Sequence, residues 1–120
     1  MNKLELETSL SQLPASESSY PFGPEALVFK VMNKMFALVS QKEDPARVTL
    51  KCGPADAEVL VAKYKSIIPG YYMNKKHWIT ISLTDELPNH ILIDLVNESY
   101  KLVVSKLTKR EKGQLQQQYQ

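Results

Sequence analysis

One cysteine, four glycines and a single tryptophan stand among the 120 residues, and these scarcities narrow the field. A lone Cys52 excludes a disulfide within the chain and any cysteine cluster for zinc. Four glycines supply neither a G-x-G-x-x-G turn nor a phosphate-cradling P-loop. No apolar run approaches the ~20 residues that a membrane helix needs. Met1 to Leu10 alternate polar and apolar residues and lack the apolar stretch of a secretory leader. By elimination a cytoplasmic location and no membrane association are expected.

The apolar fraction is 43% and the charged fraction 23%, enough for a core without disulfide or metal staples. Net charge is +2 and the pI is about 8.6, below the roughly 9 that marks strongly basic nucleic-acid-binding domains. The charge is blocky. Residues 1–29 sum to −3, 30–82 to +5, 83–100 to −4 and 101–120 to +4. Such blocks often do no more than solvate a surface.

Leu4, Leu6, Leu10 and Leu13 suggest a short N-terminal helix, which Pro14 ends. Ser16 to Ser19 read as a polar connection, and Tyr20-Pro21-Phe22-Gly23-Pro24 as a rigid loop. Ala26 to Met32 and Met35 to Ser40 are strand-compatible, with a turn at Asn33-Lys34. Val48, Leu50 and Cys52 alternate with Arg47, Thr49 and Lys51, the period of a half-buried strand. Pro54 opens a helix whose stripe is Ala57, Leu60, Val61 and Tyr64. His77 to Leu83 alternates again, with Ile79, Ile81 and Leu83 on one side and Trp78, Thr80 and Ser82 on the other. Pro88 then starts a helix to about Leu107. There is no regular βαβ alternation. The expected fold is α+β: an antiparallel sheet packed against an N-terminal helix, a middle helix and a long C-terminal helix. Residues 1–107 are expected to form the one domain, and 108–120 a polar tail or an extension of the last helix.

Chemistry is mostly missing. His90, Asp94 and Glu98 share one helix face, but an ordinary solvent-facing stripe explains them. Ser99 and His90 point to different faces, so no triad forms there. Cys52 reads as a small core residue and His77, by its parity with Ile79, as half-buried. No enzymatic activity, cofactor or metal is expected. The informative segment is Pro69-Gly70-Tyr71-Tyr72-Met73-Asn74-Lys75-Lys76-His77-Trp78, where two lysines stand beside an indole. Lysines supply charge for phosphates and flat rings stack on bases. Arg47, Thr49 and Lys51 would add to that surface if the two strands were neighbours, unless the last helix covers Trp78.

The chain resembles the MmcQ/YjbR family of small bacterial proteins over roughly residues 20 to 105. The resemblance rests on Tyr20-Pro21-Phe22-Gly23, Lys34 to Leu38, Leu50-Lys51-Cys52, Pro69-Gly70-Tyr71, Asn74-Lys75-Lys76-His77-Trp78 and Glu98-Ser99-Tyr100. It implies a compact α+β fold of the double-wing or CyaY-like kind, and a DNA-binding label drawn largely from fold. Asn74, Lys75, His77 and Trp78 stand at the family's signature, and Lys51 at its Leu-Lys-Cys position. Ile68 and Tyr72 replace the basic residue and the histidine frequent in relatives. The function expected is therefore non-enzymatic DNA binding through phosphates, of low sequence specificity, by a monomer. Arg47, Lys51, Lys75 and Lys76 would carry the charge, with Tyr71, Asn74, His77 and Trp78 around them. The alternative is a chaperone-like module that binds a protein partner.

Overall fold

The computed structural model describes residues 1–70 and 74–119. Helix α1 (Lys3–Ser11) begins at a capping box: the Asn2 side chain accepts from the Glu5 N–H, and the Glu5 carboxylate accepts from the Asn2 N–H. Six strands follow in chain order with one helix among them. They are β1 (Ser16–Ser19), β2 (Ala26–Val31), β3 (Lys34–Ser40), β4 (Arg47–Lys51), α2 (Pro54–Lys63), β5 (Ile67–Pro69) and β6 (Trp78–Ser82). Helices α3 (Asn89–Ser105) and α4 (Lys109–Tyr119) complete the order. The sheet runs β1-β2-β3-β4-β6-β5, and every neighbouring pair is antiparallel.

Local chemistry explains the joints. Val31 pairs with Lys34 around Met32 and Asn33, whose φ angles of 49° and 66° are both positive. That is the twist-matched two-residue hairpin, and Asn tolerates it well. Phe29 pairs with Ala37 but Lys30 with Met35, so Phe36 is the extra residue of a β-bulge. The bulge lets Phe36 and Ala37 both enter the core, which simple alternation forbids. Thr108 and Glu111 cap α4 reciprocally, and Leu115 packs on the core from α4.

The two sheet faces differ. Phe29, Val39, Val48, Leu50, Ile79 and Ile81 meet Leu6 and Leu10 of α1 and Leu92, Val96 and Val103 of α3 in one cluster. Each such side chain contributes about 1.5–3 kcal/mol by leaving water. On the other face one row crosses the sheet through Val28, Leu38, Thr49 and Thr80. All four are buried, yet they lie outside that cluster. The Thr49 and Thr80 hydroxyls satisfy each other at 2.9 Å. Among the described residues, no helix packs its buried side chains on this face. No described helix is long and apolar enough to cross a membrane.

Candidate nucleic-acid interface

Lys51 ends β4 and Trp78 begins β6, and the register pairs them directly. Val48 and Leu50 point to the helices, so Lys51 points to the other face, as does Trp78 beside inward Ile79; no described helix covers this open face, although its central row is only 0–4% exposed. The Lys51 Nζ lies 5.6 Å from the centre of the indole, within reach of a cation–π attraction. Trp78 is half-buried, and its parity puts it on the face away from α3. The condition that the two strands be neighbours with matching faces is met.

Two devices hold this pair in place. Ser99 on α3 is fully buried, and its hydroxyl accepts from the Lys51 N–H at 2.8 Å while donating to the Phe36 carbonyl at 2.6 Å. One side chain thus satisfies the bulge carbonyl of β3 and the terminal N–H of β4, just beyond the Ala37–Leu50 pair of the ladder. Its neighbour Tyr100 packs edge-on to Phe36 at 5.4 Å and donates to the Pro14 carbonyl at 2.6 Å. The second device is Gly70, whose N–H donates to the Trp78 carbonyl at 2.8 Å. A methyl group on Gly70 would lie only 2.8 Å from the Trp78 Cβ, so nothing larger than glycine fits the close approach.

The turn before Trp78 supplies further charge. The Asn74 side chain accepts from the Lys76 N–H at 2.8 Å, and the His77 carbonyl accepts from the Cys52 N–H at 2.9 Å. Asn74 is thus a turn-forming residue. His77 is exposed, not half-buried, because it belongs to the turn and the strand parity starts only at Trp78. Lys75 and Lys76 are exposed and border a groove of about 560 Å³ against Pro54, Glu58 and Val61 of α2. They stand at the end of the sheet, on the side of α2. Among the described residues no carboxylate lies within ion-pair distance of Lys51, Lys75 or Lys76.

Arg47 is on the same face as Lys51 but at the other end of β4, about 13 Å away by strand rise. Its Nε lies 3.1 Å from the Glu43 carboxylate, so its charge is matched locally. The structure therefore separates Arg47 from the group. Tyr71 lies outside the described residues. Lys30, between inward Phe29 and Val31, points to the open face; its alternation with two core residues was the available signal.

The other candidates are inert. Cys52 is buried, and its thiol pKa is raised by desolvation first and then by the charges of Asp56 and Glu98. His90, Asp94 and Glu98 are exposed, and among the described residues no His, Cys, Asp or Glu group is arranged to hold a metal.

A family model described as YjbR matches residues 11–102. The chain belongs to the YjbR family. The uncharacterised protein YbdF of Escherichia coli O157:H7 is 43% identical over 100 residues, covering 83% of this chain and 82% of YbdF. The uncharacterised protein YjbR of Escherichia coli K12 is 33% identical over 104 residues, covering 87% and 88% respectively. Among solved structures, Deinococcus radiodurans protein DR2400, a DUF419 domain, aligns with a TM-score of 0.86 and 40% identity. It covers 95% of this chain and 87% of that one. A Pseudomonas syringae protein aligns with a TM-score of 0.76 and 26% identity over 86% of this chain and 99% of its own. The α+β architecture of this YjbR-family chain, a six-stranded antiparallel sheet with four helices, is shared with these neighbours. The Ser99-Tyr100 part of its motif is structural, bridging α3 to β3, β4 and Pro14.

Proposed function

We propose that this YjbR-family chain is a cytoplasmic, non-enzymatic DNA-binding monomer that contacts phosphates through the open face of its sheet. The observation that carries the reading is the Lys51 ammonium lying over the Trp78 ring on a face that no described helix covers. Lys30 extends the cationic surface across the sheet, and Lys75 and Lys76 extend it past the sheet end. The half-buried indole offers a stacking partner for a base or sugar. Phosphate contacts carry no sequence code, so binding is weakly specific and strongly salt-dependent. The buried thiol and the scattered histidines are what support a non-enzymatic role. Polarisation titration of a labelled 20-base-pair duplex at ~50 mM salt tests this. Wild type should bind, and Lys51→Glu or Lys75→Glu plus Lys76→Glu should weaken binding. No binding at that salt would end the proposal.

A protein partner is the second reading. Tyr20 and Phe22 are 53% and 69% exposed in a proline-fixed loop, large aromatics of the kind that anchor interfaces. Nuclease-resistant capture of a defined partner that is lost in Phe22→Ala would favour it.

A further inference from the structure

The antiparallel order gives the molecule two chemically distinct ends. The β2–β3 turn, the last residue of β4 and the β5–β6 turn all lie at one end. Helix α3 starts at the opposite end, where Asn89 accepts from the Met1 ammonium while Lys3 reaches Gln41. It passes Phe36 and Lys51 at Ser99 and therefore finishes at the first end. Helix α4 continues there, with the Glu111 carboxyl pKa lowered mainly by the Thr108 N–H and hydroxyl and in part by the Lys34 charge. Lys34, Lys51, Lys75 and Lys76 share this end with Lys109, Arg110 and Lys112 of α4. Adding Lys30, Lys101 and Lys106, ten of the fifteen Lys and Arg residues lie here, against five acids (Glu17, Asp56, Glu58, Glu98 and Glu111). The other end holds the remaining five cations and eight acids. A net charge of only +2 conceals this separation.

We infer that α4 is the second half of the DNA-binding surface: Lys109, Arg110 and Lys112 grip the phosphate backbone of a duplex whose other contacts are Lys51, Trp78, Lys75 and Lys76. The inference rests on the reading of the open face as a DNA-binding surface. Glu111, Gly113 and Leu115 of α4 are half-buried, while Lys109, Arg110 and Lys112 are exposed. Their charges are not needed for packing. Four strand spacings separate β2 from β5, about 19 Å. That distance matches about five to six base-pair steps along the duplex axis at 3.4 Å per step. Helix α4 follows directly on α3, which finishes at this end of the sheet. The cations of α4 fall outside the segment 11–102 that the family model matches.

The test compares two charge-reversal triples of equal net charge in the full chain. Lys109→Glu, Arg110→Glu and Lys112→Glu alter α4. Lys42→Glu, Lys63→Glu and Lys65→Glu alter the opposite end. Circular dichroism confirms that both retain wild-type helix content. Polarisation with a labelled 20-base-pair duplex is measured from ~25 to ~200 mM salt. The α4 triple should weaken binding roughly tenfold or more and make the log–log salt slope shallower by about 2–3, whereas the opposite triple should change affinity far less. Equal losses in both triples would mean that only net charge matters and would overturn the inference. An unchanged slope in the α4 triple, with Lys51→Glu still weakening binding, would overturn the inference and leave the open-face reading intact. No binding by wild type would overturn both.

Discussion

Replacing Ser99 by alanine removes one oxygen and orphans two backbone groups. The hydroxyl donates to the Phe36 carbonyl at 2.6 Å and accepts from the Lys51 N–H at 2.8 Å, at a position with 0% exposure. Leaving a buried donor or acceptor without a partner costs about 1–3 kcal/mol each. The two share one oxygen, and Lys51 at the end of β4 is only half-buried, so some relaxation is available there. A combined loss of about 2–4 kcal/mol is expected, a large part of the 5–15 kcal/mol that holds a typical domain. For a chain of this size that lowers Tm by roughly 6–20 °C. Urea unfolding followed by circular dichroism reads the loss directly, and an unchanged m-value would confirm that only stability moved. Ser99→Cys, nearly isosteric but a poor hydrogen-bonding group, should fall between wild type and Ser99→Ala. A loss under about 0.5 kcal/mol for Ser99→Ala would refute the bridging role, because a merely space-filling serine could lose its hydroxyl at that cost.

Three further outcomes follow from the geometry. Gly70→Ala should destabilise by about 1–3 kcal/mol and shift Trp78 emission, since the new Cβ collides with the Trp78 Cβ and carbonyl; retained stability in urea would contradict the close approach. The nearby Ser66 hydroxyl, and the Ser66 and Lys65 N–H groups that donate to its carboxylate, hold the Glu86 pKa below the usual carboxylate range. Because that pKa is depressed on folding, the stability it confers is present above the unfolded value and lost as pH falls through the folded one. Glu86→Gln should therefore flatten the acid limb of the stability–pH curve, and an identical limb in both proteins would exclude this contribution. Cys52 should be alkylated roughly tenfold or more slowly in the folded protein than in denaturant, because burial and two carboxylates hold its thiol protonated; equal rates would show that it is accessible.

Elements with strong periodicity were legible in the sequence. The alternation around Val48 and Leu50 and around Ile79 and Ile81 located β4 and β6, and Pro88 marked the start of α3. β1 was hidden because Ser16 to Ser19 is an exposed polar edge, held by backbone bonds to β2 and not by side-chain burial. β5 is three residues long and ends in proline, too short for any period to register. Among its described side chains, polar α4 carries Leu115 toward the core, and it is started by the Thr108–Glu111 cap, a local signal that looked like part of a tail. The Phe36 bulge inverts parity within β3, which no two-residue period can foresee.

The candidate site was legible to the same degree. Strand parity put Lys51 and Trp78 on the polar faces of their strands, but only the β4–β6 pairing makes them neighbours. Arg47 shares that parity and is separated by strand length and by Glu43, neither of which a face assignment reveals. That α4 begins at the end of the sheet holding the β2–β3 turn follows from where α3 finishes, which no local pattern in the sequence reveals.

Trp78 is the chain's single tryptophan, so its fluorescence reports on this one surface. Titrating unlabelled duplex into the protein at ~50 mM salt should give saturable quenching or a spectral shift, reversed as salt rises to ~200 mM and lost in Lys51→Glu. Emission that stays constant while a labelled duplex is seen to bind would place the DNA elsewhere on the molecule and contradict the account.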